Sequence, residues 1–354
     1  MHIAVYAICK NEAKFAARWM DSMREADSVT VLDTGSEDGT AALLRSLGAA
    51  VSTERIEPWR FDTARNRSLS LVPEAADICV CTDLDEVLLP GWRAALEQAW
   101  TPGTGSARYR LAWGGGAGYT YYVEKAHTRH GWQWTHPVHE VLEWVGPGDR
   151  GGCVTSEGME LRHWPDAEKS RAQYLPLLEL AVREAPEDDR NRHYLGREYM
   201  YAGRWEDCIR TLREHLSMPT AVWRDERCAS MRFIARSYAA LGQREEARCW
   251  YLRAIAEAPH LREGYTDMAR LLYELGEWDG VLHFTALALR ITERPLEYIC
   301  EAESWGALPW DLRAVALYRR GRFAEALAAA ETALSFAPED ERLRRNVQYC
   351  REQQ

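Results

Sequence analysis

Lysine is scarce in this 354-residue chain, where almost every basic side chain is Arg. Together with a formal net charge of −10, that composition does not favour nonspecific binding to polyanions. It leaves room for a local phosphate site built from guanidinium forks. Paired cysteines are missing too: the nine Cys, at 9, 79, 81, 153, 208, 228, 249, 300 and 350, include no Cys-x-x-Cys. Most fall in predicted strands and helices, which argues against a cysteine-rich zinc site and reads as reduced, buried thiols of a cytoplasmic protein. No basic leader, long apolar stretch or small-residue cleavage site precedes the strand-like residues 3–8. Nor does any segment approach the ~20 apolar residues that span a bilayer. A soluble protein without a membrane partner is expected, and 46% apolar content over this length fits about two domains.

Two periodicities divide the chain. Residues 3–8, 28–32, 49–52 and 78–81 are short apolar runs that read as strands, separated by helical spacing over 12–26 and 40–47. Strands alternating with helices imply a mostly parallel, doubly wound sheet whose ligand crevice lies beyond the strands' carboxyl ends. After about Asp166 the strand signal vanishes. Leu195-Gly196-x-x-Tyr199-x-x-x-Gly203 recurs as Ala235-x-x-Tyr238-x-x-x-Gly242, Ala269-x-x-Leu272-x-x-x-Gly276 and Ala314-x-x-Leu317-x-x-x-Gly321. Small residues follow at 247, 254, 326 and 333, and Pro259 and Pro338 close two units. This half resembles tetratricopeptide repeats, with an insertion at 291–309 and a polar last helix at 340–353. The expected divisions are a first domain over 1–165, a connecting helix over 166–188 and a helical repeat domain over 189–354, whose uncapped edge leaves room for a homodimer.

Three motifs carry chemistry. Asp33 stands at a strand end, followed by a turn with Gly35 and Gly39, where Asp38 or Thr40 can cap the next helix. Asp33 itself suits a nucleotide's base or ribose. Arg65 opens an amphipathic helix, from which it can fork onto phosphate oxygens or pair with Asp33 or Asp83. Asp83-Leu84-Asp85-Glu86 ends the apolar run at 78–81 and forms an oxygen-rich mouth suited to a divalent cation holding a diphosphate.

Ala7-Ile8-Cys9-Lys10-Asn11-Glu12, Leu32-Asp33-Thr34-Gly35-Ser36-x-Asp38-Gly39-Thr40, Ala64-Arg65-Asn66 and Asp83-Leu84-Asp85-Glu86 together resemble family 2 glycosyltransferases of the GT-A fold. The resemblance covers roughly the first half. It implies a Rossmann-like α/β GT-A domain with a mostly parallel sheet, joined to an all-α tetratricopeptide-like solenoid. Donor-binding positions carried over are Ala7, Asn11, Glu12, Asp33, Arg65, Asp83 and Leu84, with Asp85, Asp83 and the late His163 toward Mn²⁺ or Mg²⁺. Glu140, in the run from His127 to Glu140, is the candidate base, with a structural ion pair to an Arg or His as the alternative.

His127, His130, His136 and His139 read as acceptor contacts or aromatic packing, since no Cys accompanies them at zinc-finger spacing. Trp113, Tyr119, Tyr121, Tyr122, Trp132 and Trp134 suit a stacked sugar or base, or ordinary core. The glycine run 114–118 lacks a following Lys-Ser/Thr and reads as a mobile lid rather than a phosphate loop.

The expected activity is metal-dependent, inverting transfer from a nucleotide sugar, a UDP-sugar favoured, to a macromolecular acceptor. Fusions of this kind resemble bacterial and phage enzymes that glycosylate peptides or hydroxymethylated pyrimidines in DNA. From Asp166 onward 28 basic residues face 32 acidic ones, so no global basic field marks a DNA binder. The clusters Arg319, Arg320, Arg322 and Arg342, Arg344, Arg345 read as solvated helix faces. A first half this short leaves a thin acceptor wall, which the repeats are expected to complete. Two other functions compete. A non-catalytic repeat scaffold for a peptide predicts broken nucleotide contacts. A sugar nucleotidyltransferase predicts a Gly-rich basic loop where Cys9-Lys10-Asn11-Glu12 stands.

Overall fold

The computed structural model describes residues 1–114, 120–166 and 172–353. It divides into two compact units, Met1–Ala181 and Val182–Gln354.

The first unit runs β1 (Ile3–Cys9), α1 (Ala13–Ser22), β2 (Ser28–Asp33), α2 (Thr40–Ser46), β3 (Ala50–Thr53), α3 (Phe61–Ser70) and β4 (Ile78–Cys81). It continues with β5 (Glu86–Leu88), α4 (Trp92–Ala99), β6 (Thr104–Trp113), β7 (Thr120–Thr128), β8 (Trp132–Thr135), β9 (Val141–Trp144) and β10 (Gly152–His163). Helix α5 (Tyr174–Glu184) crosses the division. Eight strands form one sheet in the order β3-β2-β1-β4-β7-β6-β10-β5. β1 pairs in parallel with β2 and β4, β2 with β3, and β6 with β10, while β7 and β5 pair antiparallel with their neighbours. β8 and β9 form a separate antiparallel ribbon.

β1 shows why the centre is parallel. Every residue in it is buried, as a strand covered on both faces requires. Its alternate side chains enter different cores. Ile3, Val5, Ala7 and Cys9 pack with Trp19, Leu44 and Trp92, whereas Ala4 and Tyr6 pack with Leu69, Trp132 and Trp134. The predicted strands and helices over 3–52 appear within one or two residues of their expected ends, apart from α1, which is shorter than the spacing over 12–26. The antiparallel insertion of β7 between β4 and β6 departs from simple strand-helix alternation, since no helix separates β6 from β7 among the described residues. Of the predicted glycine lid only Gly114 is described, and 115–118 and Tyr119 lie outside the described residues.

The second unit contains only helices among its described residues: α6 (Asp189–Tyr201), α7 (Trp205–Ser217), α8 (Arg224–Ala240), α9 (Arg244–Glu257), α10 (Arg262–Glu274), α11 (Trp278–Arg290), α12 (Leu308–Arg319), α13 (Phe323–Phe336) and α14 (Glu341–Arg351). Together they make a solenoid of tetratricopeptide-like hairpins. The recurring glycines punctuate it chemically. Gly203, Gly242, Gly276 and Gly321 all have φ between 71° and 74°, where a side chain would be strained. In each case the next residue's N–H donates, at 2.9 Å, to the carbonyl of Tyr199, Tyr238, Leu272 or Leu317. Those are the residues four places before each glycine in the repeating motif, so the motif spells a helix stop. Gly196 serves packing instead: a Cβ there would lie 2.2 Å from Leu212.

The insertion between α11 and α12 is tied into its own unit by buried charge. Arg232 and Arg236 of α8 bind Asp267 of α10 and Glu301 of the insertion, with Arg232 Nε 2.9 Å from Asp267 Oδ2 and Nη2 2.7 Å from Glu301. Burial alone would raise the Asp267 carboxyl, but the two guanidinium groups overcome it and bring it down to about 2. Asp267→Ala should therefore cost about 3–5 kcal/mol, because two buried cations lose a shared partner. Urea denaturation checks this, and a loss below about 1 kcal/mol would show the network to be dispensable.

In the first unit His127 is buried, its Nε2 2.8 Å from the Tyr6 hydroxyl. Burial pushes its imidazole down to about 4, against the opposing Thr128 carbonyl. The unfolded imidazole takes its proton near pH 6.5, so stability from this residue is complete above that value and is lost as pH falls toward 4. The fold should lose about 2 kcal/mol between pH 8 and pH 5 from this group. Unfolding curves of wild type and His127→Gln should diverge in pH slope, and identical slopes would remove His127 from the account.

Candidate active site

The strands that run in one direction bring their carboxyl ends to one edge of the sheet: Cys9 of β1, Asp33 of β2, Cys81 of β4, Trp113 of β6 and His163 of β10. At the β2 end, buried Asp33 accepts the Ser36 amide at 3.2 Å and faces the Cys9 thiol. Asn11, at φ 55°, accepts the Glu37 amide at 2.8 Å through Oδ1, while its own amide donates to Ser36 Oγ. The Glu12 amide donates to Thr40 Oγ1 at 2.8 Å. Asp38 accepts the Thr40 amide at 3.0 Å and the Ala13 amide at 3.1 Å, so it joins the starts of α1 and α2. An open cleft of about 640 Å³ lies here, lined by Asn11, Ala13, Lys14, Glu37 and Asp38.

Across β1, at the β4 end, Arg65 is the centre of a buried ion-pair network. It is buried, and its Nη2 donates to both Asp83 oxygens at 2.9 and 3.2 Å while its Nε donates to Glu140. The guanidinium lies over Trp134, 5.4 Å from the ring centre. Burial works to lower its proton affinity, but Asp83 and Glu140 more than offset that and hold it charged. Of the partners open to Arg65 in the sequence, it takes Asp83, and Glu140 is in the arginine ion pair weighed as its alternative role.

Asn66 explains how Glu140 arrives there. Its side-chain amide accepts the Trp134 N–H at 2.8 Å and donates to the Trp134 carbonyl at 2.7 Å, as a neighbouring strand would. The ribbon of β8 and β9 is thereby held against α3, and the turn between its strands carries Glu140 to Arg65. The Phe61 amide adds a bond to the Pro137 carbonyl at 3.0 Å.

Asp85 meets His163, with Oδ2 3.2 Å from Nε2 and both side chains largely buried. Trp113, the register partner of His163, packs against its ring at 3.9 Å between centres with the planes tilted by 53°. The Trp164 amide donates to the Asp85 carbonyl at 2.8 Å. Asp85 and His163 are thus neighbours, and Asp83 turns to Arg65. Ala7 and Leu84 have their side chains in the hydrophobic core, so they offer a ligand main chain alone. The Ala7 carbonyl already accepts the Ser68 hydroxyl at 2.8 Å.

Two residues given no role in the sequence reading complete the site. Lys125 Nζ lies 3.0 Å from Glu86 and 3.6 Å from Asp83. Glu86 also accepts the Asp83 amide at 2.8 Å; burial raises its carboxyl, with Lys125 opposing. The scarcity of lysine was the available signal: a rare ammonium inside a strand is a candidate for a specific partner. Asn66 was visible only as part of a motif.

Among the aromatic residues, Trp132 and Trp134 are core, and Trp134 Nε1 donates to Tyr6 at 2.8 Å. His127 packs edge-on against Tyr6, His139 stacks on Tyr174, and His130 faces Glu74 at the surface. Trp113 remains partly exposed.

Residues 307–340 match the tetratricopeptide repeat family model. A curated relative, the lipopolysaccharide core biosynthesis glycosyltransferase LpsC of Rhizobium meliloti (strain 1021), is 31% identical over 98 residues, 27% of this chain. The match spans 36% of that relative's own length. Solved structures with similar helical arrays include a thermophilic tetratricopeptide-repeat protein of Thermus thermophilus, at 21% identity and TM-score 0.38 over 50% of this chain and 89% of that one. Yeast Tom70 matches at 14% identity and TM-score 0.41, over 53% of this chain and 37% of its own. Over 98 residues, then, the chain is similar to a glycosyltransferase, and over 307–340 it matches a tetratricopeptide repeat.

Proposed function

We propose that the chain is a metal-dependent, inverting glycosyltransferase that moves a sugar from a nucleotide diphosphate, a UDP-sugar in the first instance, to a macromolecular acceptor. The observation that carries this reading is the convergence on Arg65: one buried cation holds Asp83 and Glu140, next to the Asp85 and His163 pair, at the carboxyl edge of the sheet. Carboxylate and imidazole side by side fit Mn²⁺, and fit it better than Mg²⁺, which prefers all-oxygen ligation. Asp85 and His163 would hold the ion, with Asp83 toward the ribose. When bound, the ion supplies charge neutralisation for the departing diphosphate.

The chain's own groups then divide the work. Asp33 and the Asn11 turn, tied to one another through Ser36, receive the base. Arg65 fixes the Glu140 carboxylate, which takes the acceptor's proton as its oxygen attacks the anomeric carbon opposite the diphosphate. Lys125 keeps Glu86, and through it the Asp83 main chain, in place. A peptide side chain is the acceptor the second unit favours, since the chain from Asp166 onward, with 28 basic against 32 acidic residues, lacks the field that DNA requires. Transfer to hydroxymethylated DNA in a mass-shift screen, with peptides unmodified, would reverse that choice.

Glu140→Gln should lower kcat by about 10²–10⁴ while leaving UDP affinity within a few fold, because it removes the base and not the donor contacts. Unchanged turnover would take Glu140 out of the mechanism. Asp85→Ala should abolish the Mn²⁺ dependence of UDP binding and of UDP-sugar turnover. A calorimetric titration of UDP, GDP and TDP with and without Mn²⁺ reads the binding, a turnover assay reads the rest, and metal-dependent turnover that survives this substitution would refute the ion site.

A further inference from the structure

Within the helical unit, three buried ligand-type side chains from three helices point at one another: His193 of α6, His215 of α7 and Glu226 of α8. His193 Nε2 is buried without a hydrogen-bond partner, and buried His215 Nε2 has only Glu226 Oε1 beside it, too far and too poorly aligned for a good hydrogen bond. An orphaned polar atom in a protein interior costs free energy, and two imidazoles facing one carboxylate point to a missing ligand. We propose that His193, His215 and Glu226 form a zinc-binding site that clamps the first helical hairpin to the second.

The outer contacts support that chemistry. The Ser230 oxygen lies 2.7 Å from His193 Nδ1 and 3.0 Å from His215 Nδ1. A hydroxyl oxygen has two lone pairs, so it can accept from both Nδ1–H groups and leave both Nε2 atoms as bare donors toward a metal. Glu226 is similarly oriented, since the Tyr298 hydroxyl binds its Oε2 and leaves Oε1 facing His215 Nε2 at 3.4 Å. That spacing is about the edge of a tetrahedron with bonds near 2.1 Å, the geometry of zinc with nitrogen and oxygen ligands. One ligand-type atom of each of the three side chains lies within 4.8 Å of the others. Burial, together with His215, Arg197 and Arg190 and against the pull of Glu226, holds His193 neutral, the form a metal needs. Two imidazoles and one carboxylate select zinc over magnesium or calcium.

The other grouping of this kind, Asp267 with Glu301 and Glu303, is different because Arg232, Arg236 and Arg270 already bind those carboxylates.

The test uses the full chain carrying Asp85→Ala, so that the transferase site does not compete, after stripping with a chelator. Titration with Zn²⁺ should show about one equivalent bound per chain and a rise in Tm. Co²⁺ in its place should give the visible d–d bands of a tetrahedral site. His193→Gln and His215→Gln should each weaken Zn²⁺ binding by about 100-fold or more with unchanged circular dichroism. Absence of saturable binding, or binding unaffected by these substitutions, overturns the proposal. Should either variant unfold, the Co²⁺ spectrum of the Asp85→Ala chain decides. Tetrahedral bands without thiolate charge transfer support the site, and octahedral bands or a thiolate band, which would move the metal to cysteine, refute it.

Discussion

A guanidinium group with only 7% of its side chain exposed keeps its charge, so burying it is costly unless carboxylates accompany it, and at Arg65 two of them do. That requirement organises the first unit. Asp83 comes from the end of β4 and Glu140 from the ribbon of β8 and β9, and both favour the buried cation against the cost of its burial. A partnerless ion of this kind costs several kcal/mol. The fold consequently draws a helix, a strand end and a ribbon to one point. The side chains that the proposed chemistry needs are held in place before any substrate arrives, which is how an active site avoids reorganising during reaction.

The helical unit uses the same physics at a different depth. Arg232 and Arg236 pair with Asp267 and Glu301 to bind the irregular insertion to the repeats. Here the ion network is fully partnered, so it reads as architecture. The cluster of His193, His215 and Glu226 is fixed by Ser230 and Tyr298 from outside and left unsatisfied within. The distinction between a structural network and a ligand site thus rests on which polar atoms lack a partner, not on how many charges are buried.

Much of the plan was legible along the chain. β1 and β4 announced themselves as apolar runs because strands covered on both faces have few positions for polar residues. The glycines at 203, 242, 276 and 321 marked helix ends because their left-handed backbone suits no other residue as well. The antiparallel β7 was not visible in this way, since strand order in a sheet is set by contacts distant in sequence. Leu84 stood inside a chemical motif, yet its side chain serves the core. The turn between β4 and β5 sends Leu84 inward, and a motif does not reveal which of its side chains the backbone will turn to the core.

By itself, the sequence determined a sheet followed by helical hairpins and the identity of Arg65, Asp83, Asp85, Glu140 and His163 as residues worth watching. Local periodicity and turn chemistry act over a few residues, so a linear reading captures them. Only the tertiary structure decided that Arg65 would join Asp83 to Glu140, that Lys125 would support Glu86, and that two histidines and a glutamate from three helices would face one another. Those partnerships span 75, 39 and up to 33 positions. They exist because burying charge and polar atoms forces each to find a complement wherever folding brings one near.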